Sequence, residues 1–441
     1  MALDKLVDST ALDEGLTDIA DAIRAKGGTS GQLTFPEGFV DAIDDIPTGG
    51  GGSSAIKNDV TFYDYDGTIV DSYSASEFAS LSALPANPSH AGLIAQGWNW
   101  SLSDAKTHVA KYGKLNIGQM YITQSGATEI DVEMHEGRLN PTLTICVKGI
   151  ITVDWGDNTT PDTVTGTSLT TRKAVPHTYS NKGNYTISIL ATGDNKYRLS
   201  GTSTYTILRK ELYTTGSENR VYASTVKRIR IGNNAEIGGG AFYYCYSLVS
   251  ITIPDSVTSI DGSTFYNCGS LISITIPDGA TSIGSSAFYG CYSLTSITIP
   301  NDVTSIGAQA FYYDYSLSSI IIPDGITSIT NNLFNSCYAL DGITVLDNVT
   351  SIASAAFYGC YSLTSITIPD GVTSIGNQVL LNCYGVKEFH ILPTTVPTGG
   401  TSMFDNLASD AVIYVPKGHL TDYQTATNWS TYASYMQEEP T

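Results

Sequence analysis

The sequence predicts a multidomain, β-rich chain: a small helical module, a small α/β module and a β-sandwich, then a solenoid built from 23-residue repeats. Three observations carry that expectation. Ile-Pro recurs at Pro254, Pro277, Pro300, Pro323 and Pro369, in steps of 23 residues or twice that, with Leu346 in the missing place. Between residues 136 and 212, apolar and polar residues alternate in strand-length runs. Ahead of a Gly-rich stretch near residue 50, apolar residues fall instead at helical spacing.

The elements follow in chain order. In residues 1–47, Leu12, Leu16, Ile19 and Ile23 mark one amphipathic helix that Gly27-Gly28 ends. Phe35-Pro36 opens a second helix carrying Phe39, Ile43 and Ile46. Two helices this small bury little surface alone, so they are expected to pack on a partner or on copies of themselves, a homo-oligomer with a trimer among the options. Residues 48–54, including Gly49–Gly52 and Ser53-Ser54, read as a flexible linker. Residues 55–135 read as α/β, with a strand at Val60–Tyr63 and helices at Ala75–Leu81 and Leu102–Tyr112. Residues 136–212 carry strand patterns at Leu143–Val147, Ile150–Trp155, Tyr185–Leu190 and Thr204–Leu208.

The solenoid is expected over residues 213–394, with residues 395–441 as its C-terminal cap. One unit reads Leu294-Thr-Ser-Ile297-Thr-Ile299-Pro300, then Val303 and Ile306, then Ala310-Phe311 and Tyr315-Ser-Leu317. Ile297 and Ile299, two apart, suit a short strand with one face inward, and Pro with Asp or Gly turns the chain after it. A single unit cannot bury its own apolar side, whereas stacked neighbours can. Eight rungs are legible, from Val226–Ile231 to Val386–Ile391. At the usual strand spacing they make a stack of about 35–40 Å.

Three segments resemble known families. The repeats of residues 213–394 resemble BspA-like leucine-rich repeats, found in bacterial surface proteins and some phage proteins. Trp155-Gly156-Asp157 with His177-Thr178-Tyr179 and Gly183-Asn-Tyr185 resembles PKD β-sandwich domains. That resemblance implies a buried Trp, a Gly-Asp turn, and a spacer or adhesion role. Asp21-Ala-Ile-Arg-Ala-Lys-Gly-Gly-Thr-Ser and Leu33-Thr-Phe-Pro-Glu-Gly-Phe resemble N-terminal segments of tail-associated proteins from phages of Gram-positive gut bacteria. It implies attachment to phage tail proteins through residues 1–47. The 55–135 block resembles a module that precedes such repeats in the same proteins.

Charge and composition exclude several classes. Lys and Arg number 22 against 42 Asp and Glu, a net charge of 22 − 42 = −20. Nucleic acid demands clustered cations, so it is not an expected partner. No apolar run approaches the roughly 18 residues of a spanning helix, so membrane insertion is not expected either. The first residues are too charged for a secretion signal, and the last form no hydrophobic tail.

Catalytic motifs are few. Asp64-Tyr65-Asp66-Gly67-Thr68 matches the nucleophile motif of haloacid-dehalogenase-type phosphatases, but the downstream Lys and acidic pair find no counterpart beyond Gly193-Asp194. A strand running into a hairpin turn is the plainer reading. The histidines, at 90, 108, 135, 177, 390 and 419, form no HExxH, and no P-loop or GxSxG string occurs. Cys245, Cys268, Cys291, Cys337, Cys360 and Cys383 share one repeat position, which Asp314 fills in the remaining unit. Side chains pointing the same way from successive coils make a buried thiol ladder, not a metal site or a disulfide framework. Asp157 and Asp162 suit turns better than calcium. No enzyme activity, cofactor or metal is expected.

Binding is expected where the frame varies. Between the core Phe and Leu of each unit lie Tyr243, Tyr246, Tyr266, Tyr289, Tyr292, Tyr312, Tyr315, Tyr338, Tyr358 and Tyr361 among Ser, Gly and Asn, the composition of recognition surfaces. Two readings stay open: an exposed edge that holds a ligand, and a structural ladder that supports the coils. The outward Ser250, Thr252, Ser273, Thr275, Ser296 and Thr298 form a second, flatter face. The leading expectation is a phage tail fibre or receptor-binding protein recognising a host-surface glycan or protein. The alternative is a bacterial cell-surface adhesin.

Overall fold

The small α/β module owes its form to one apolar strand and two short amphipathic helices. The computed structural model describes residues 59–440, apart from 65–67, 92, 99–100, 114, 124, 202–206, 211–224 and 233. The helical module of residues 1–47 and the linker of 48–54 lie outside the described residues. From β1 (Val60–Tyr63) the chain turns into β2 (Ile69–Tyr73), then α1 (Ala75–Ser80), β3 (Leu93–Trp98), α2 (Leu102–Tyr112) and β4 (Leu115–Thr123). The sheet order is β2-β1-β4-β3, with only β1 and β4 parallel. Ser74 starts α1 through a capping box: its Oγ accepts from the Glu77 N–H at 3.4 Å while Glu77 Oε2 accepts from the Ser74 N–H at 3.0 Å. Phe62, buried in both this sheet and its pleat, meets Trp98 edge-on at 4.9 Å and Phe78 at 6.1 Å.

Next come β5 (Thr128–Met134), β6 (Pro141–Asp154), β7 (Asp162–Pro176), β8 (Gly183–Ala191), β9 (Lys196–Leu199) and β10 (Leu208–Lys210). The two patterns expected at Leu143–Val147 and Ile150–Trp155 are one long strand, β6. β5, grouped on sequence with the α/β module, pairs antiparallel with β8 along its whole length. β7 escaped the sequence pattern because it is rich in Thr and largely exposed, without an apolar stripe to betray it.

The strands expected to form a separate sandwich do not stop where the solenoid begins. β11 (Val226–Arg230) is the first rung, β12 (Ala235–Ile237) lies in the same coil and β13 (Ser250–Thr252) is the second rung. One sheet runs β12-β9-β6-β8-β5-β11-β13, so the upstream strands pair directly with solenoid strands. One apolar core extends from Ile130 to Met436. Arg230 rivets the junction: its two terminal nitrogens donate to both Asp131 oxygens at 3.0 Å, and its Nε donates to Glu129 at 2.9 Å. Burial alone would raise the Asp131 carboxyl, but the Arg230 fork, Thr186 and Arg228 together hold it below the usual carboxylate range.

Along the solenoid the strands repeat in constant register: Ile274 faces Ile297, Ile297 faces Ile320, and Ile366 faces Phe389, all in parallel. A second series of two-residue strands pairs Ser282 with Ser305, and Ser328 with Ser351 and then Ser374. Between the two series the residues that follow each Pro, Asp255 and Asn301 among them, sit in turns, as where Val257 N–H donates to Pro254 and Val303 N–H to Pro300. The stack does not stop near residue 394. Val412–Val415 pairs with Glu388–Ile391, and Met436–Glu438 pairs in turn with Val412–Val415, so the segment expected as a separate cap adds two parallel strands. Val415-Pro416, 23 residues after Pro393, was the visible sign. Trp429 and Tyr423, both fully buried, then close the end of the core.

The third side of each coil turns on backbone conformation. The residues two before and two after the core Phe take left-handed φ: Ser263 and Asn267 around Phe265 at 57° each, Ser286 at 54° and Gly290 at 69° around Phe288. This sets three alternating N–H groups along the stack, so Ser263, Phe265 and Asn267 donate to Ser285, Ala287 and Tyr289 of the next coil at 2.9, 2.7 and 2.6 Å. A non-Gly residue there costs on the order of 1–3 kcal/mol. The cost is offset because buried N–H groups would otherwise go unpaired. Inside, Phe242, Phe265, Phe288, Phe311, Phe334 and Phe357 stack at 5.3–5.7 Å.

The seven cysteines are buried free thiols. Cys268, Cys291, Cys337, Cys360 and Cys383 each donate to the carbonyl of the Phe 26 residues earlier, at 2.9–3.3 Å. Burial pushes the thiols of Cys268, Cys291, Cys337 and Cys360 well up. Asp314 replaces a thiol in this row. Its Oδ1 accepts from the Cys291 N–H at 2.8 Å, while Oδ2 has no partner among the described residues. Complete burial pushes its carboxyl well above the usual range despite that hydrogen bond.

Two predictions follow from the thiol row. A thiol reagent should label the six repeat cysteines slowly in the folded chain and fully in denaturant; rapid native labelling would contradict their burial. Asp314 binds its proton more tightly folded than unfolded, so its contribution to stability is greatest below the unfolded value of about 4 and declines as pH rises toward the folded value. Asp314→Asn should flatten that decline, and Asp314→Cys should raise stability near pH 7 by about 1–3 kcal/mol, the cost of an unsatisfied buried group. Urea midpoints at pH 5 and pH 8 measure both effects, and parallel pH profiles for all three proteins would refute this account.

Candidate recognition surface

Because every coil has the same length, any residue type that recurs at one position becomes a row. The ten candidate tyrosines sort into two such rows. Tyr243, Tyr266, Tyr289 and Tyr312 form an inner ladder, stacked at 4.6, 4.4 and 5.0 Å with ring planes within 12° of parallel. Buried Asn335 interrupts it, held by its own hydrogen bonds to Asn332 and Ser336, and Tyr358 resumes it. Tyr292, Tyr315, Tyr338 and Tyr361 form an outer ladder, stacked at 5.1, 4.7 and 4.7 Å. Tyr246 holds the same repeat position at the other side of Gly269.

The sequence reading missed Tyr384, which extends the outer ladder at 5.7 Å from Tyr361. Its sign was its place directly after Cys383, matching Tyr361 after Cys360. Tyr244 and Tyr313 lie beside these rows: each takes a left-handed φ, at 62° and 64°, and meets Tyr243 or Tyr312 edge-on.

The two ladders differ in exposure. The inner rings are half-buried, whereas Tyr292 and Tyr315 are 37% exposed, Tyr361 43% and Tyr384 54%. Stacking decides what they present. Each ring inside the outer ladder gives both faces to its neighbours, so solvent meets ring edges and hydroxyls at intervals close to the rung spacing. Burial, then neighbouring tyrosines, pushes the hydroxyls of Tyr315, Tyr361 and Tyr292 up, so these groups stay protonated and both donate and accept. Sugar stacking on the ring faces, one sense of the exposed-edge reading, is therefore closed to the interior of the row; hydrogen bonding along its edge is open.

The second face is partly occupied by the chain itself. β4 lies against the solenoid strands: Asn116 Nδ2 donates to Thr295 Oγ1 at 2.5 Å and Ser296 Oγ donates to the Asn116 carbonyl at 3.2 Å. Ser296 is buried in consequence, while Ser365 and Thr367, beyond the contact, remain exposed.

The other motifs resolve into structural roles. Asp64 sits at the end of β1, which enters an antiparallel hairpin, and it hydrogen-bonds His90 at 2.7 Å. Among the described residues β1 pairs in parallel with β4 alone. Trp155 is buried, Gly156 turns at φ 73°, and Trp155 Nε1 donates to Asp162 at 2.8 Å. Asp157 accepts from Thr159 and pairs with His177 at 2.9 Å, and the His177 ring stacks on Trp155 at 4.5 Å. Both Asp side chains are thus engaged with protein partners. Among the described residues no three His, Cys, Asp or Glu side chains converge as a metal site, and no helix is long and apolar enough to cross a membrane.

Known proteins resemble the repeat half. The model for the BspA type leucine rich repeat region matches residues 217–341 and 304–427, so this part of the chain carries BspA-type leucine-rich repeats. A leucine-rich repeat protein from Bacteroides ovatus is 32% identical over 44% of this chain and 56% of its own, with a TM-score of 0.38. A Treponema pallidum leucine-rich repeat protein is 27% identical over 40% of this chain and 80% of its own, with a TM-score of 0.35. A leucine-rich cell surface protein from Faecalibacterium prausnitzii is 25% identical over 38% and 61%, with a TM-score of 0.26. The chain thus spans little more than half the length of the Bacteroides protein. No curated protein matches it significantly.

The ladder geometry gives a graded prediction. An aromatic pair contributes about 0.5–1.5 kcal/mol beyond its buried area. Tyr315→Ala removes a ring stacked on both sides and should cost about 1–3 kcal/mol, whereas Tyr384→Ala, at the end of the row, should cost about half that. Urea denaturation of the two variants checks the ratio; equal costs would contradict the stacked arrangement.

Proposed function

We propose that this chain is a non-catalytic recognition protein that engages a surface glycan or protein along the outer tyrosine edge of its solenoid. One observation carries the reading: a continuous stack of tyrosine edges from Tyr292 to Tyr384, exposed at Tyr292, Tyr315, Tyr361 and Tyr384, on a rigid and half-buried support. Aromatic edges already immobilised by stacking lose little entropy on binding, the feature that makes tyrosine common in recognition surfaces. The BspA-type repeats support a place on a bacterial cell surface, as an adhesin. The buried Trp155 and the Gly156 turn support a PKD-like spacer role for residues 136–212.

A second reading, a phage tail fibre or receptor-binding protein in the virion, rests on the resemblance of residues 1–47 to tail-associated segments. There the N-terminal module would join tail proteins, as a homo-oligomer, and the solenoid would meet the host. Antibody labelling of purified virions and of intact bacterial cells separates the two locations.

The binding edge itself is tested by replacing Tyr315, Tyr338 and Tyr361 with Phe together. The stack survives while three hydroxyls are lost. Retention of the full chain on intact gut bacteria and on a mucin-coated surface is the readout. The expected outcome is at least a tenfold loss of retention on the surface that holds the wild type, with the thermal midpoint within a few degrees. Unchanged retention, or a wild type held by neither surface, would overturn the proposal.

A further inference from the structure

The thiol row holds one residue of different chemistry. In the coils that carry cysteine, the sulfur makes two backbone contacts. It donates to the Phe carbonyl 26 residues earlier, as Cys291 does to Phe265 at 3.3 Å and Cys337 to Phe311 at 3.0 Å. It also accepts the N–H of the row member one coil back, Cys268 for Cys291 and Asp314 for Cys337. Asp314 performs the accepting half, since its Oδ1 takes the Cys291 N–H at 2.8 Å. The donating half would go to the Phe288 carbonyl, 26 residues earlier, but a carboxylate has no hydrogen to give. Its Oδ2 accordingly finds no partner among the described residues, although the side chain is completely buried.

What surrounds a carboxyl decides its charge. Asp131, in the same chain, is held ionised by the Arg230 fork and by Arg228. The titratable groups that act on Asp314 from the flanking coils are the Cys291 and Cys337 thiols and the Tyr292 phenol, none of them a cation. One N–H is too little to hold a buried negative charge. The neutral acid fits where the carboxylate does not: like a thiol, it has one hydrogen to donate and lone pairs to accept with. Asp314 also lies next to Tyr315, whose ring stacks on Tyr292 at 5.1 Å and on Tyr338 at 4.7 Å within the outer row.

We propose that Asp314 is a protonation latch: as the neutral acid it donates from Oδ2 to the Phe288 carbonyl in the thiol's place and closes its coil. Once ionised, it loosens that coil and the Tyr315 ring beside it. The latch stands whether or not the outer edge binds a ligand. Opening the coil wets the carboxyl and returns it to the ordinary range, near 4. The folded group is held above that range, so each pH unit between the two values eases opening about tenfold. The coil is therefore tightest in acid and loosens as pH rises, until the folded carboxyl itself ionises.

Two measurements on the full-length chain test the latch. The first is the rate at which a thiol reagent labels Cys291 and Cys337, taken as a ratio to Cys245 and Cys383 so that the shared pH dependence of thiolate formation cancels. Between pH 5 and pH 8 the ratio should rise at least tenfold in the wild type. It should stay flat in Asp314→Cys and in Asp314→Asn, whose amide supplies both hydrogen bonds without titrating. The second is the infrared carbonyl band of a protonated carboxylic acid at pH 6, which should appear in the wild type and be missing from Asp314→Asn. A ratio that does not rise in the wild type, or rises equally in Asp314→Asn, would overturn the latch, as would a wild type without the band. The wild-type labelling ratio decides by itself if a variant fails to fold.

Discussion

The structure depends on one constraint, the hydrogen-bonded register between coils exactly one repeat apart. Each coil meets the next through strand pairs on two sides and through alternating N–H groups on the third. A register that never slips turns every repeat position into a row. Rows of Ile and Phe make the core, a row of thiols fills its narrow side, and rows of tyrosine cover the third side. Length, not the identity of any one residue, is what the fold protects. Left-handed residues on both sides of each core Phe show the strain accepted to keep it, since they turn the N–H groups toward the neighbouring coil.

The same register extends beyond the repeats. Residues 128–199 present strands whose edges match the first coil, and the Arg230–Asp131 fork fixes the match. An open solenoid end would expose apolar residues and unpaired strand edges. Here the sheet of residues 128–199 closes one end and the Trp429–Tyr423 cluster the other. The α/β module adds a further cover by lying on the middle strands, while the outer tyrosine edge from Tyr292 to Tyr384 stays open to solvent among the described residues.

How much of this was legible in the sequence follows from how local each signal is. Ile297, Ile299, Phe311 and Leu317 announce their inward positions because their spacing repeats in every unit. The thiol row was legible for the same reason, as was the strand at Val60–Tyr63, whose apolar run is short and bounded. What stayed hidden needed partners distant in sequence. The pairing of Thr128–Met134 with both Gly183–Ala191 and the first coil of the solenoid left no local trace, and Asp162–Pro176 lacks an apolar face. Nor did the sequence say that the tyrosines split into a half-buried inner row and a more exposed outer one, because that difference lies in how successive coils stack. The covering of Ser296 by Asn116, 180 residues away, belongs to the same class.

The most direct test of this account needs no ligand. Hydroxyl-radical footprinting of the full chain, resolved residue by residue, reads solvent access along every row at once. Oxidation should be fast at Tyr292, Tyr315, Tyr361 and Tyr384, slower at Tyr266, Tyr289 and Tyr312, and nearly absent at the Phe row and at the repeat cysteines. Inner and outer tyrosines oxidised at the same rate, or a Phe row as reactive as the tyrosines, would contradict the coil register from which everything else is derived.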